Sequence, residues 1–343
     1  MRDTLNDMQL YLVDEFVEEY QEGHLSRREA LRRIAAITGS LALATTILAA
    51  CGAAEPTTGT ATSTSASPSG AASPSAAASA SAAASGSPAG SAGASPQPTS
   101  SPDPAVSVPE NDSAIEAQMV EFPGEGATLM GYLARPTGDG PFPIILVCHE
   151  NRGLTDHIKD VTRRVAKAGY VGMAVDLLSR QGGTASITDQ AQIQGALGQA
   201  PEGQPVQDFQ SGLRYAQSQP YADKAKVGMT GFCYGGGVTW RMATKTPELR
   251  AAVPFYGPAP NVADVPGIQA AVLAIYGGLD ERINAGIPEI EAAMQQNNKT
   301  FQKQIYDGAN HAFHNDTGRN YNPDAAKDAW AKTLAWFEQY VKA

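Results

Sequence analysis

The chain has 343 residues, which is enough for one large domain or two small ones. Its formal net charge of −10 at pH 7 argues against nucleic acid as a partner, because binding to phosphates needs a basic surface. The three cysteines, Cys51, Cys148 and Cys233, are too few for a disulfide framework, so each needs its own explanation.

The N-terminal segment has the pattern of an export address. "SRREALRR" contains the pair Arg27 and Arg28, and an uncharged run from Ile34 to Ala50 follows it. This order resembles a twin-arginine export signal, which a receptor reads and which permits folding before export. The run ends in Leu-Ala-Ala-Cys51, which resembles the lipobox of bacterial lipoproteins, where the cysteine is lipidated. Residues 1–51 are therefore predicted to be a signal with a lipobox, and an uncleaved membrane anchor is the alternative.

Residues 52–109 consist almost wholly of Ala, Ser, Thr, Pro and Gly. They have no periodic apolar face, so they bury too little surface to offset the entropy of ordering. A disordered linker is predicted, with a mean reach of about 40 Å for such a flexible chain. It would hold a domain of residues 110–343 at the extracytoplasmic face of the cell membrane, as a lipoprotein.

Residues 110–343 alternate between strand and helix patterns. "AQMVEF" and "ATLMGYLA" indicate a hairpin, and "FPIILVCHE" is typical of a strand buried on both faces. The alternation continues through "YVGMAVDLL", "KVGMTGF", "LRAAVPFYG", "AAVLAIYG" and "FQKQIYDG" to a final helix from Pro323 to Val341. This order predicts an α/β fold with a mostly parallel central sheet and helices on both faces. Sites in such sheets form at the carboxyl ends of the strands.

Three strand ends carry candidate catalytic residues. Cys233 lies in Gly-Phe-Cys-Tyr-Gly, between a strand and a helix, where a tight turn exposes a nucleophile. Asp280 follows a strand and a Gly-Gly turn, with Glu281 as the competing acid. His311 follows the last strand, with His314 as the competing base. The chain order of nucleophile, acid and histidine is that of α/β-hydrolases, with the histidine as base and the acid fixing its tautomer.

From Ser113 to Ala343 the chain resembles the dienelactone hydrolases (carboxymethylenebutenolidases), thiol members of the α/β-hydrolase superfamily. The resemblance rests on "GFCYGG", "GGLD", "NHAF" and "CHENRGL". It implies that Glu150 pairs with the resting thiol, although a pairing of Glu150 with Arg152 is an alternative. It also implies that the backbone N–H groups of Asn151 and Tyr234 form the oxyanion hole. "HENRG" lacks the second histidine of a zinc motif, so neither a metal nor another cofactor is expected.

Substrate recognition departs from the family pattern. Asn315 stands where the family has an arginine that holds a substrate carboxylate, and Arg152, Arg180 and Arg319 are candidates to supply a clamp instead. The Gln/Gly-rich segment after Arg180 is expected to form a mobile cap over the site. Cys148 ends an apolar strand pattern and is interpreted as a buried strand residue; a disulfide between Cys148 and Cys233, which would silence the nucleophile, is the alternative.

The preferred function is an exported hydrolase that cleaves small esters or lactones through a thioester acyl-enzyme. Its partners would be a small-molecule substrate and the membrane that anchors it, with no nucleic acid, and a monomer is expected. A non-catalytic, tethered lipoprotein that binds a small ligand is the alternative, because solute-binding lipoproteins share the lipobox and the linker. A thiol-redox role is the third hypothesis.

Overall fold

The computed structural model describes residues 4–50 and 107–343, so Cys51 and nearly all of the predicted linker lie outside the described residues. The helices are α1 Asp7–Gln21, α2 Arg27–Thr38, α3 Leu41–Ala50, α4 Asp156–Lys167, α5 Gln190–Gln199, α6 Gln204–Ser218, α7 Tyr234–Lys245, α8 Glu281–Asn284, α9 Ile287–Gln296 and α10 Pro323–Phe337. The strands are β1 Ile115–Gly124, β2 Ala127–Pro136, β3 Phe142–Cys148, β4 Val171–Asp176, β5 Ala222–Phe232, β6 Leu249–Phe255, β7 Ala271–Gly277 and β8 Phe301–Tyr306.

The strands form one sheet in the order β1-β2-β4-β3-β5-β6-β7-β8. Strands β3 to β8 run parallel, and β2 runs antiparallel to both of its neighbours, β1 and β4. The apolar runs of β4 and β7 are buried along their whole length, as strands covered by helices on both faces must be. The predicted mostly parallel α/β sheet is confirmed.

Helix α4 begins and ends at residues typical of helix caps, whereas the final helix, predicted to run to Val341, is α-helical only to Phe337 and continues as a π-helical turn over Glu338–Lys342. Thr155 is the N-cap of α4, and Gly169 follows the helix in a left-handed conformation with φ +91° that suits glycine. At the other end of the chain, the indole N–H of Trp336 on α10 donates a hydrogen bond to the carbonyl oxygen of Ala271 on β7. The last helix is therefore fixed to the sheet beside the strand that leads to Asp280.

Residues 4–50, called the leader from here on, pack against the sheet domain. Helix α1 begins with a capping box between Asn6 and Gln9. Leu12 and Phe16 of α1 and Ile37 of α2 are fully buried and belong to the same apolar core as the sheet. The leader therefore shares its apolar packing with the domain.

The leader contains the arginine pair and the apolar run of the predicted export signal. Arg27 and Arg28 open α2 and are exposed while the leader is docked. The apolar run from Ile34 to Ala50 is divided between α2 and α3 by Gly39, whose φ is +68°. Within residues 4–50 and 107–343, no helix is both long enough and apolar enough to cross a membrane.

The segment after Arg180 differs from the expected mobile cap, because it contains the helix α5. This helix packs closely against α2 of the leader: a Cβ on Gly198 would lie 2.7 Å from the Cγ2 atom of Ile37, so a side chain there would displace α2. The side-chain amide of Gln199 also donates to the carbonyl of Ala36. Helix α5 thus forms part of the surface against which the leader packs.

Candidate active site

Cys233 occupies the sharp turn between β5 and α7. Its backbone has φ +57° and ψ −120°, a conformation that costs a non-glycine residue about 1–3 kcal/mol. The turn is tight because a Cβ on Gly231 would lie 2.3 Å from the carbonyl oxygen of Gly235, and one on Gly235 would lie 2.5 Å from that of Cys148. The glycines around the cysteine therefore serve close backbone packing, and Sγ projects into a cavity at the carboxyl end of the sheet.

Asp280 and His311 form a hydrogen-bonded pair beside this turn. His311 Nδ1 donates to Asp280 Oδ2 over 2.5 Å, which leaves Nε2 to face the thiol. Burial works to lower the pKa of His311, but the charge and hydrogen bond of Asp280 outweigh it, and the pKa lies well above its ordinary value. Burial likewise works to raise the pKa of Asp280, and His311 lowers it below its ordinary value. Such a pair holds an imidazole ready to accept and return a proton.

The two competing residues lie elsewhere. Glu281 is exposed at the start of α8, outside the cavity. His314 is buried and stacks on the ring of Phe232 at 5.0 Å between centroids. The structure thus brings together Cys233, Asp280 and His311; one ring nitrogen of the histidine lies within 4.8 Å of Sγ.

Glu150 follows β3 and lines the cavity, but its described hydrogen bond is not with the thiol. Its Oε2 atom accepts from Nδ2 of Asn315 over 2.6 Å, so the residue at the position of the family's arginine holds Glu150 in place. Arg152 is exposed at the rim of the cavity, and among the described residues no ion pair joins it to Glu150. Tyr234 opens α7, where its N–H has no partner within the helix.

Two side chains of the leader also contact the thiol. The hydroxyl of Tyr11 on α1 lies 3.0 Å from Cys233 Sγ and 3.4 Å from His311 Nε2. The carboxylate oxygens of Glu15 lie 3.7 and 3.9 Å from Sγ, and one of them accepts from the side-chain amide of Asn151 over 2.7 Å. Sequence reasoning missed Tyr11 and Glu15.

These leader residues also change the chemistry of the nucleophile. Burial raises the pKa of the Cys233 thiol, and the charge of Glu15 raises it further. The hydrogen bond and charge of His311 lower it, but by less. The thiolate is the reactive form of cysteine, so the docked leader disfavours the form that attacks.

A cavity of about 420 Å³ lies between α1 and the carboxyl edge of the sheet. Its wall on the leader side carries the acids Glu15, Glu18, Glu19 and Glu22. The domain side carries Arg152, Arg282 and Arg319. Of the arginines considered for a clamp, Arg152 and Arg319 therefore reach the cavity, whereas Arg180 pairs with Asp208 outside it.

The two described cysteines are both free. Cys148 is fully buried, and burial raises the pKa of its thiol well above the ordinary value, so it is an unreactive strand residue. Within the described residues, Glu15, Cys233 and His311 each place one ligand atom within 4.8 Å of the others, a set that could hold a metal ion. Two of the three, Cys233 and His311, are also the candidate nucleophile and base, so a bound metal ion would occupy the same side chains.

Comparison with known proteins identifies the sheet domain. The model of the dienelactone hydrolase family matches residues 129–341. A protein of Methylorubrum extorquens named "Putative carboxymethylenebutenolidase" is 35% identical over 246 residues, which cover 68% of this chain and 84% of that protein. One of the same name from Escherichia coli K12 is 33% identical over 242 residues, covering 67% and 89%.

A solved structure of a "Putative Dienelactone Hydrolase" from Klebsiella pneumoniae is also similar. It has a TM-score of 0.62 and 34% identity, and the match covers 66% of this chain and 100% of that one. The predicted α/β-hydrolase fold is confirmed. The leader lies outside the residues that the family model matches.

Proposed function

Because the chain belongs to the dienelactone hydrolase family and is thus a carboxylic-ester or lactone hydrolase, we propose that Cys233, His311 and Asp280 form its catalytic triad. The observation that carries this proposal is the 2.5 Å hydrogen bond between His311 and Asp280, next to a thiol on a strained turn. The substrate is a small ester or lactone whose acyl carbon reaches Cys233 at the carboxyl edge of the sheet.

In the acylation step, His311 Nε2 accepts the thiol proton and Sγ attacks the acyl carbon. The oxygen of the tetrahedral intermediate is stabilised by the N–H groups of Tyr234 and Asn151. His311 then donates the proton to the departing alkoxide, and a thioester to Cys233 remains. Asp280 keeps Nε2 directed at the reacting atoms and stabilises the imidazolium that forms in both directions.

In the deacylation step, His311 accepts a proton from water, and the resulting hydroxide attacks the thioester. The second tetrahedral intermediate collapses, the carboxylic acid leaves, and the thiol regains its proton from His311. With a lactone the alcohol and the acid remain in one product, so ring opening uses the same two steps.

We also propose that the chain is exported and attached to the membrane. The support is sequence order alone: an arginine pair, an apolar run and the lipobox that ends at Cys51. Labelling cells with a fatty-acid analogue should label the wild type and leave Cys51→Ser unlabelled. Equal labelling of the two would contradict lipidation at this residue.

The triad is tested by intact-mass spectrometry of the full chain after incubation with p-nitrophenyl esters and a panel of lactones. An acyl adduct is expected on the wild type and on the matched control Cys148→Ala, and none on Cys233→Ala. Unchanged hydrolysis by Cys233→Ala would refute the proposal. Ligand-dependent thermal stabilisation without any turnover would instead favour the tethered binding protein.

A further inference from the structure

We propose that the leader is a self-inhibitory plug: α1 docks in the catalytic cleft and keeps Cys233 blocked until the leader leaves. The proposal uses the nucleophile of the proposed function, but it needs only that Cys233 is the thiol in the cleft. It assigns to residues 4–50 a role that the predicted export signal does not include.

The side chain of Tyr11 occupies the space in front of the Cys233 thiol. Tyr11 places its hydroxyl within contact of both proposed reacting side chains, 3.0 Å from Sγ and 3.4 Å from His311 Nε2. An acyl carbon that bonds to Sγ must occupy this same region. A phenol offers no carbonyl to attack, so Tyr11 excludes a substrate without being consumed.

The leader also places a negative charge beside the thiol. Glu15 is buried with its carboxylate 3.7 Å from Sγ, where a negative charge opposes ionisation of the thiol. Its other anchor is the side-chain amide of Asn151, 2.7 Å away, beside a proposed oxyanion donor. The docked helix therefore hinders both access to the thiol and its activation.

Arginines at the rim of the cleft pair with acids of α1. The Arg282 Nε atom donates to Glu18 over 2.9 Å, and its guanidinium lies 4.8 Å from the centre of the Tyr11 ring. Arg319 faces Glu19 at 3.7 Å. In the docked state the acids of α1 occupy the arginines on which a carboxylate-bearing ester would otherwise rest.

The proposed catalytic residues all lie outside the leader, so the site is complete without it. Cys233, Asp280 and His311 all lie within residues 129–341, the part that the family model matches, and the leader does not. The leader contributes no strand to the sheet and is attached by side-chain packing and ion pairs. Residues 51–106, a long segment, separate it from the domain.

The test releases the leader in the full chain with the double variant Phe16→Glu/Ile37→Glu, which places charges in its buried face. Leu41→Glu is the matched control, because Leu41 belongs to the leader and is 63% exposed. The rate of Cys233 alkylation by iodoacetamide and the hydrolysis of p-nitrophenyl acetate are measured. Both should rise at least about tenfold in the double variant, since reactivity follows the fraction of open molecules, and stay unchanged in the control.

A second variant addresses the possibility that the double variant misfolds. Tyr11→Ala removes only the group in front of the thiol and should also speed alkylation, with the circular dichroism spectrum retained. If either folded variant reacts no faster than the wild type, or hydrolyses esters more slowly, the leader completes the site and the plug is refuted. Faster alkylation of the variants, when neither they nor the wild type hydrolyse esters, would support the plug and contradict the proposed hydrolase triad.

Discussion

Two carboxylate–histidine pairs of similar geometry lie in the domain, Asp280–His311 near the thiol and Asp316–His157 in the core. Their hydrogen bonds measure 2.5 and 2.7 Å. His311 keeps 17% of its side chain exposed and turns Nε2 to the cavity, whereas His157 is 2% exposed. Asp316 also accepts from Arg164 over 2.6 Å, so a fixed guanidinium shares its charge. Hydrogen-bond length alone therefore does not distinguish the two pairs; the pair that we propose to be catalytic differs by its access to a cavity and to the Cys233 thiol.

The largest expected difference between the pairs is in turnover. Asp280→Asn should lower kcat for p-nitrophenyl esters by about 10³–10⁴-fold, because the amide no longer enforces the productive tautomer of His311. The melting temperature should change little, since an isosteric side chain fills the same space. A variant with near wild-type kcat would remove Asp280 from the triad.

The core pair should show the opposite response. Asp316→Asn is expected to cost about 1–3 kcal/mol of unfolding free energy, because it weakens the buried hydrogen bonds to His157 and Arg164, while Arg164 keeps its ion pair with Asp160. Urea unfolding measures this loss, and single-turnover kinetics on the folded fraction should be near wild type. A large loss of turnover with intact stability would mean that the two pairs are coupled.

The pairs should also differ in the pH dependence of activity. Asp280 raises the pKa of His311, so the ascending limb of kcat/KM against pH should lie above pH 6.5 in the wild type. Asp280→Asn removes that stabilisation of the imidazolium and should move the limb to lower pH in the residual activity. Asp316→Asn serves as the control and should leave the limb in place.

The smallest expected effect belongs to His314, the histidine that competes with His311 in the sequence. Burial, followed by the charges of His157 and Arg164, lowers its pKa well below 6.5. Below pH 6.5 the unfolded chain therefore binds a proton at His314 that the folded chain does not bind. The free energy of unfolding decreases as the pH falls through this range.

His314→Phe should stay within about 1 kcal/mol of the wild type at pH 8, because the Nδ1 atom that it removes is buried without a hydrogen-bond partner. It should gain on the wild type as the pH falls below 6.5. Esterase activity should be unchanged, and a clear loss would return His314 to the site.

The positions of Cys233, Asp280 and His311 could be predicted because each follows a strand whose apolar pattern is unambiguous. A parallel sheet brings such strand ends to one edge whatever the loops do. The strand pattern alone does not separate His311 from His314, so the preference for His311 rests on the resemblance in "NHAF"; a shift of three residues decides between the cavity and the core.

Tyr11 and Glu15 could not be predicted because the thiol that they contact is more than 200 residues away along the chain. Only the complementarity of two folded surfaces places them at the thiol. The signal that could have prompted the question was local: a capping box at Asn6 and apolar residues four apart at Leu12 and Phe16 indicate an amphipathic helix ahead of the arginine pair. The partner of Glu150 likewise required the fold, because Asn315 lies 165 residues away along the chain.

The exposure of Arg27 and Arg28 in the docked leader has a consequence for export. If the pair serves as the proposed address, a receptor can reach it without first lifting α1 from the cleft. Delivery and unlocking would then be separate events, with a locked enzyme as the cargo. A thiol covered by Tyr11 during transit is also protected from oxidants, so the device that keeps the enzyme idle would preserve it for use.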